Sequence, residues 1–338
     1  MSVCMEIEPE IIQPISNSKS KQLALSFGLV VLVCLLVFAY LQNPSRNFPI
    51  GEAVVIETGL SAAAIADELK DKEVVRSRWL LYAILVAFHD PASVKAGTYV
   101  FDAPLNTFAI ASRITDIAPP ADTVALTFPE GYTVHEYATI ATAALPQFNA
   151  VAFKELASSS EGYLFPETYF VPYDYNEEEL FLLLRATYDE RTRHLQDVLS
   201  NNKLTENGIV ILASIVEREA NTPESMEMVA GILLSRIVLG MPLQVDAAME
   251  YALATPLQEL LPGELALQIR ELDSPYNTYK YKGLPPTPIG NPGLTAIEAV
   301  LNPKNSDYLF YITGIDGEFY YAETLEEHNQ NIARYLRE

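Results

Sequence analysis

Ile209-Val-Ile-Leu-Ala-Ser-Ile-Val-Glu-Arg-Glu219 is an apolar run that closes on two acids. It predicts a helix over Gly208 to Ala220. At about 100° per residue, Leu212, Ile215 and Val216 fall within about 60° of Glu219, whereas Glu217 projects nearly opposite, beside Val210, Ala213 and Ser214. One carboxylate is therefore aimed at the apolar stripe. Such a group costs free energy unless it is paired, or kept protonated by a raised pKa, which is the state a general acid needs. Spacing alone leaves two readings open: an acid catalyst, or a structural glutamate that turns to solvent or pairs with Arg218 or Arg236.

Working outward, a second helix is predicted over Glu224 to Leu239, with Gly240 as its C-terminal stop. Asn176 to about Ser200 reads as a long amphipathic helix with Leu180, Leu183, Leu184, Tyr188 and Leu195 on its apolar positions. A β-rich segment, a Gly-x-Ser/Thr turn and a capped helix occur twice, at Ala53 to Leu69 and at Thr123 to Ile140. Between the copies lie a helix near Arg76 to Phe88 and the strand-like Ala96-Gly-Thr-Tyr-Val-Phe101. The consecutive prolines of Ala118-Pro-Pro-Ala-Asp122 suit a domain boundary, since they continue neither a helix nor a central strand. Near the C-terminus, Tyr308 to Ile312 and Gly317 to Ala322 alternate as a hairpin of the catalytic sheet, with core aromatics.

The N-terminal part is of another kind. Leu23 to Leu41 is uncharged and long enough to cross a bilayer. Lys19 and Lys21 precede it and Arg46 follows, which places the first residues in the cytoplasm and the rest outside. A cleaved signal peptide is the competing reading, but the run is long, starts late and lacks a small-x-small cleavage site.

With 338 residues, 49% of them hydrophobic, the chain can bury a sizeable core in more than one domain. Its net charge of −22 disfavours a nucleic-acid partner. The two cysteines, Cys4 and Cys34, leave the exported part without a thiol, which excludes disulfides and cysteine catalysis there. His89, His135, His194 and His328 lack ligand spacing, so no metal or other cofactor is expected. Ser214 has no G-x-S-x-G context.

Aromatic loops flanked by acids suit sugar rings, and Glu161-Gly-Tyr-Leu-Phe-Pro-Glu-Thr-Tyr-Phe170 is one. Met241-Pro-Leu-Gln-Val-Asp246, Ser274-Pro-Tyr-Asn-Thr-Tyr-Lys280 and Gly283-Leu-Pro-Pro-Thr-Pro-Ile-Gly-Asn-Pro-Gly293 read as rigid polar walls of a groove for an extended polymer. Aromatic packing and ordinary turn structure remain the alternatives.

Taken in order, Pro129-Glu-Gly131, Glu161-Gly-Tyr-Leu-Phe-Pro-Glu-Thr168, Leu212-Ala-Ser-Ile-Val-Glu-Arg-Glu219, Tyr276-Asn-Thr-Tyr279, Gly283-Leu-Pro-Pro286 and Thr324-Leu-Glu-Glu-His-Asn329 resemble the motifs of the YceG-like endolytic murein transglycosylases. The resemblance implies a bacterial α+β protein of the inner membrane. Its parts would be a cytoplasmic tail (1–22), one transmembrane helix (23–41), a linker (42–50), a small LysM-like domain (51–118) and a larger catalytic domain (119–338). It further implies cleavage of the β-1,4 bond between N-acetylmuramic acid and N-acetylglucosamine in peptidoglycan glycan strands, with 1,6-anhydro ends and termination of strand growth. Glu219 matches the family's single acid/base. Glu161, Gln244, Asp246, Tyr276, Asn277 and Tyr279 are the expected saccharide-binding or orienting residues, and peptidoglycan synthases the expected protein partners. Val245 and Ala247 depart from the family's Gln-Thr-Asp-Pro pattern, and the last glycine loop differs too. A non-catalytic peptidoglycan-binding scaffold, and a glycoside hydrolase pairing Glu219 with Glu161 or Asp246, are the alternative functions.

Overall fold

The structure is a computed structural model and describes residues 18–57, 59–115, 123–200, 204–255 and 262–336. Residues 1–17 of the expected tail, with Cys4, and the proline boundary at 118–122 lie outside the described residues. The chain divides into two compact units.

The first unit holds α1 (Ser18–Gln42), α2 (Ala62–Asp71), α3 (Arg78–Phe88) and α4 (Thr107–Thr115). Within α1, Leu25–Gln42 is long and apolar enough to cross a membrane, with a mean hydropathy of 2.4. Ser61 caps α2 by accepting from the Ala64 amide at 3.3 Å, as its Gly-x-Ser turn predicts. Ile65, Leu69, Leu81, Ile84, Leu85, Ile110 and Ile114 are all buried as α2, α3 and α4 pack together.

The second unit is built on a four-stranded sheet of order β1-β2-β4-β3, made of β1 (Ala53–Ile56), β2 (Gly97–Val100), β3 (Thr123–Thr127) and β4 (Thr168–Pro172). β1 and β2 are antiparallel with Val54 opposite Tyr99, β2 and β4 are parallel with Thr98 opposite Tyr169, and β3 and β4 are antiparallel with Val124 opposite Val171. Strands from both sides of the expected 118/119 division thus share one hydrogen-bonded sheet. On it pack α5 (Val134–Ala144), α6 (Ala150–Ala157) and α7 (Glu177–Thr192), around Phe128, Tyr137, Phe153, Tyr169, Leu180 and Leu184. The helix expected to run on to Ser200 breaks after Thr192, whose hydroxyl turns back to the Tyr188 carbonyl at 2.8 Å, and a single 3-10 turn leads into α8 (Gln196–Ser200).

The remaining core surrounds α9 (Glu206–Glu219), which Thr205 caps through the Gly208 amide. Every residue from Gly208 to Val216 is buried, so α9 is sheathed on all sides rather than along one stripe. Against it pack α10 (Pro223–Leu239), α11 (Asp246–Leu253) and α13 (Leu294–Leu301), and α12 (Pro262–Glu271) lies in the chain between α11 and α13. Gly240 ends α10 at φ +64°, the left-handed stop its position predicts. The C-terminal hairpin, β5 (Phe310–Thr313) and β6 (Phe319–Ala322), forms a two-stranded sheet of its own instead of extending the larger one. It packs with α14 (Leu325–Tyr335), which begins in a Thr324/Glu327 capping box.

Candidate active site

Glu219 is the last residue of α9, where Ala220 turns extended at φ −140° and the chain leaves the core. Its carboxylate lines a pocket of about 510 Å³ whose walls include Gln244, Asp246, Tyr279, Tyr311 and Asn329. Tyr311 donates its hydroxyl to Glu219 Oε2 at 2.9 Å, and the amide of Ala247, in the first turn of α11, also donates to the carboxylate. Burial dominates and pushes Glu219 up to about 7. The two donors oppose this and the Asp246 charge adds to it.

The structural alternative for Glu219 has it turn to solvent or pair with Arg218 or Arg236. Arg218 instead pairs with Glu250 at 2.7 Å, and only weakly lowers the Glu219 pKa. Arg236, in the pocket wall, donates to the carbonyls of Leu309 at 2.8 Å and Leu243 at 2.5 Å. Glu219 is thus held by neutral donors beside an open pocket, with its pKa raised to about 7. That suits a group that gives and takes one proton.

Glu217 corrects the single-stripe expectation. Because α9 is buried all round, Glu217 is also pushed up to about 7, chiefly by burial and further by Glu130. Direction separates the two acids. Glu217 accepts from the Gly293 amide at 2.9 Å, at the start of α13, and takes no part in the pocket wall.

Of the other expected site residues, Gln244, Asp246 and Tyr279 meet in the Glu219 pocket. Tyr279 donates its hydroxyl to Asp246 Oδ1, and burial together with that carboxylate raises the phenol. Gln244 has φ +56°, a left-handed backbone that costs a non-glycine residue about 1 kcal/mol or more and is found where side chains are held for function.

Three expected residues sit elsewhere. Asn277 is fully buried and spent inside its turn, its Nδ2 donating to the Ile269 and Leu272 carbonyls and its Oδ1 accepting from the Tyr279 and Lys280 amides. It supports Tyr279 and is closed to a ligand. Glu161 accepts from the Val134 amide at 3.0 Å and from Asn291 Nδ2 at 3.1 Å, and burial lifts it to about 7. Tyr276 bonds Thr287 Oγ1 at 2.5 Å and packs on Tyr251. Asn291, itself buried, takes the Gly162 and Leu164 amides on Oδ1, so it ties the Glu161 loop to the last glycine loop. The close fit explains Gly162: at φ +89°, an added Cβ would stand 2.5 Å from Pro288.

Sequence reading gives Tyr311, His328 and Asn329 no place in the pocket: His328 and Asn329 belong to a motif without an assigned role, and strand alternation puts Tyr311 in the core. Arg236, offered as a partner for Glu219, is in the pocket wall but binds backbone carbonyls instead. Among the described residues, no group of His, Cys, Asp and Glu is arranged to hold a metal ion.

A pocket built on one raised-pKa glutamate, with Tyr311 and the Ala247 amide as donors and Asp246 nearby, defines a class of proton-transfer site, and comparison with known proteins narrows it. The YceG-like family profile matches residues 54–334, and the chain belongs to that family. The chain is 28% identical over 310 residues to the endolytic murein transglycosylase of Bacillus subtilis (strain 168), covering 83% of this chain and 84% of that protein. It is 28% identical over 320 residues to the endolytic murein transglycosylase of Streptococcus pneumoniae serotype 2 (strain D39), and spans only 58% of that longer protein. A crystal structure of a yceG-like protein from Listeria monocytogenes superposes with a TM-score of 0.56 at 29% identity, over 82% of this chain and 98% of the other.

Proposed function

We propose that the chain is an endolytic murein transglycosylase anchored by α1, with the residues after the span outside the membrane. The observation that carries this reading is Glu219, raised to about 7 in an open pocket, where the Tyr311 hydroxyl and the Ala247 amide donate to it. As acid, Glu219 protonates the glycosidic oxygen between N-acetylmuramic acid and N-acetylglucosamine as the C1–O bond breaks. As base, it then removes the proton of the muramoyl 6-hydroxyl, whose oxygen closes on C1 to give a 1,6-anhydro end. The nucleophile is intramolecular, so no water needs activating. Gln244, Asp246 and Tyr279 bind the sugars or orient Glu219, and cleavage within a nascent strand ends its growth. The strand-helix-helix-strand order from β1 to β2 supports the LysM-like reading of residues 51–118.

A second reading, hydrolysis by two carboxylates, is favoured by one observation, Asp246 in the same pocket as Glu219. Incubating the detergent-solubilised full chain with peptidoglycan and analysing the released muropeptides by mass spectrometry separates the readings. Anhydro-muramoyl ends that vanish in Glu219→Gln support the transglycosylase. Reducing ends favour the hydrolase, and absence of cleavage favours a binding scaffold.

A further inference from the structure

α3 is apolar on every side. Arg78-Trp-Leu-Leu-Tyr-Ala-Ile-Leu-Val-Ala-Phe88 contains no charge after Arg78, yet its small unit can cover only one face. Leu81, Ile84 and Leu85 are buried, while Trp79, Tyr82, Ala83 and Val86, on the opposite arc of about 100°, are exposed. Trp79 is 68% and Val86 52% exposed, and Phe88 at the helix end 72%. Large apolar side chains grouped on one exposed helix face mark a contact surface.

Two further observations say what covers it. Both ends of α3 are tied to the end of α1. At the N-terminal end, Arg76 donates Nε to the Pro44 carbonyl at 2.6 Å and its guanidinium lies 4.5 Å from the Tyr40 ring. At the C-terminal end, Phe88 meets Phe108 at 6.0 Å between ring centroids, and Phe108 meets Phe38 at 6.4 Å. Arg76 directly and Phe88 through Phe108 thus tie both ends of α3 to residues 38–44, where the apolar stretch of α1 ends. Beside it, Tyr40, Ser45, Arg46, Lys70, Glu73 and Arg76 line a pocket of about 310 Å³, with three cations against one carboxylate in a chain of net charge −22.

We propose that the α1–α4 unit seats on the bilayer. The α3 stripe lies at headgroup level, and the Arg46/Lys70/Arg76 pocket takes the phosphate of an anionic phospholipid. Trp and Tyr favour that depth because each joins an apolar ring to one polar group. The inference rests on the reading of α1 as a membrane anchor.

Trp79 is the only tryptophan, so the full chain reports on itself. The protein is reconstituted into vesicles of phosphatidylcholine, alone or mixed with phosphatidylglycerol, and its emission is followed with brominated lipids and with iodide. The expected result is blue-shifted emission, quenched by brominated lipid, shielded from iodide and more strongly so with phosphatidylglycerol. Arg46→Gln with Lys70→Gln abolishes the phosphatidylglycerol increment, and Tyr82→Glu with Val86→Glu restores iodide quenching. Retention of the chain through an alkaline carbonate wash, with Trp79 open to iodide and untouched by brominated lipid, overturns the proposal while sparing the anchor. Release by the wash overturns the anchor reading. Shielding without lipid quenching, rising with protein density, overturns the lipid assignment in favour of a second copy of the chain.

Discussion

Tyr311 reaches Glu219 across 92 residues of sequence, placing a phenolic hydroxyl 2.9 Å from the carboxylate that ends α9. The contact fastens the β5–β6 hairpin to the pocket, and α14 follows it, bringing His328 and Asn329 into the wall. A hydrogen bond to the charged form of a carboxylate favours ionisation, so Tyr311 tempers the effect of burial on Glu219. The phenol itself is pushed well above its ordinary value by burial and by the Glu219 charge, so it stays a donor throughout the working range.

Glu219→Gln keeps shape and burial but carries no proton to deliver. Anhydro-muropeptide release is expected to fall by about 10²- to 10⁴-fold, the usual share of general acid–base catalysis. Replacing a buried carboxyl by a neutral amide leaves the melting temperature at neutral pH unchanged or raised. Muropeptide yield together with thermal unfolding checks both halves.

The alkaline limb of the rate profile should follow the Glu219 pKa of about 7, since the acid must hold its proton before the bond breaks. Two substitutions move that limb in opposite directions. Tyr311→Phe removes a donor that favours the charged form, raising the pKa and carrying the limb to higher pH. Asp246→Asn removes a charge that opposes ionisation, so the limb moves to lower pH, while the amide oxygen still accepts from Tyr279. Rates of the two variants across the range from pH 5 to 9 test the pair; a common direction would contradict the geometry.

Glu217 is a stability group with its own pH signature. Its folded pKa of about 7 lies above the ordinary value of 4.5, so folding favours its protonated form. That contribution is fully present below 4.5 and is lost as pH rises through about 7, a decline on the order of 3 kcal/mol. Glu217→Gln keeps an acceptor for the Gly293 amide and should flatten this decline in denaturant titrations, with cleavage activity retained.

Local chemistry made much of this legible. The two Gly-x-Ser/Thr turns mark helix starts at short range, and the structure places caps at Ser61 and Thr133. Helical phase also sends Glu219 and Glu217 to different sides of α9, where they meet different donors, the Tyr311 hydroxyl and the Gly293 amide. What phase does not reveal is how many sides of a helix are covered. α9 is wrapped by partners distant in sequence, so both acids are desolvated and only their partners distinguish them. The same limit hid Tyr311, whose alternating strand reads as core whether its far side meets packing or a pocket. Asn277 failed in the other direction: a polar residue in a rigid turn looks available until its amide is seen to be spent on four backbone groups.

Ala247 gives a departure from the family pattern a measurable consequence. Where the pattern has proline, this chain has an alanine whose amide donates to Glu219 and lowers its pKa against burial. Proline has no N–H, so Ala247→Pro deletes that bond while its ring suits the first turn of α11. The preceding residue disfavours helical angles before proline, so α11 should start one residue later, with Asp246 as its cap. Glu219 would then keep Tyr311 as its donor and sit at a higher pKa, and the alkaline limb of the rate profile should move up as it does for Tyr311→Phe. The two changes remove separate donors, so the double variant should shift further than either alone. A profile unmoved by Ala247→Pro, with activity retained, would show that this amide does not tune the acid.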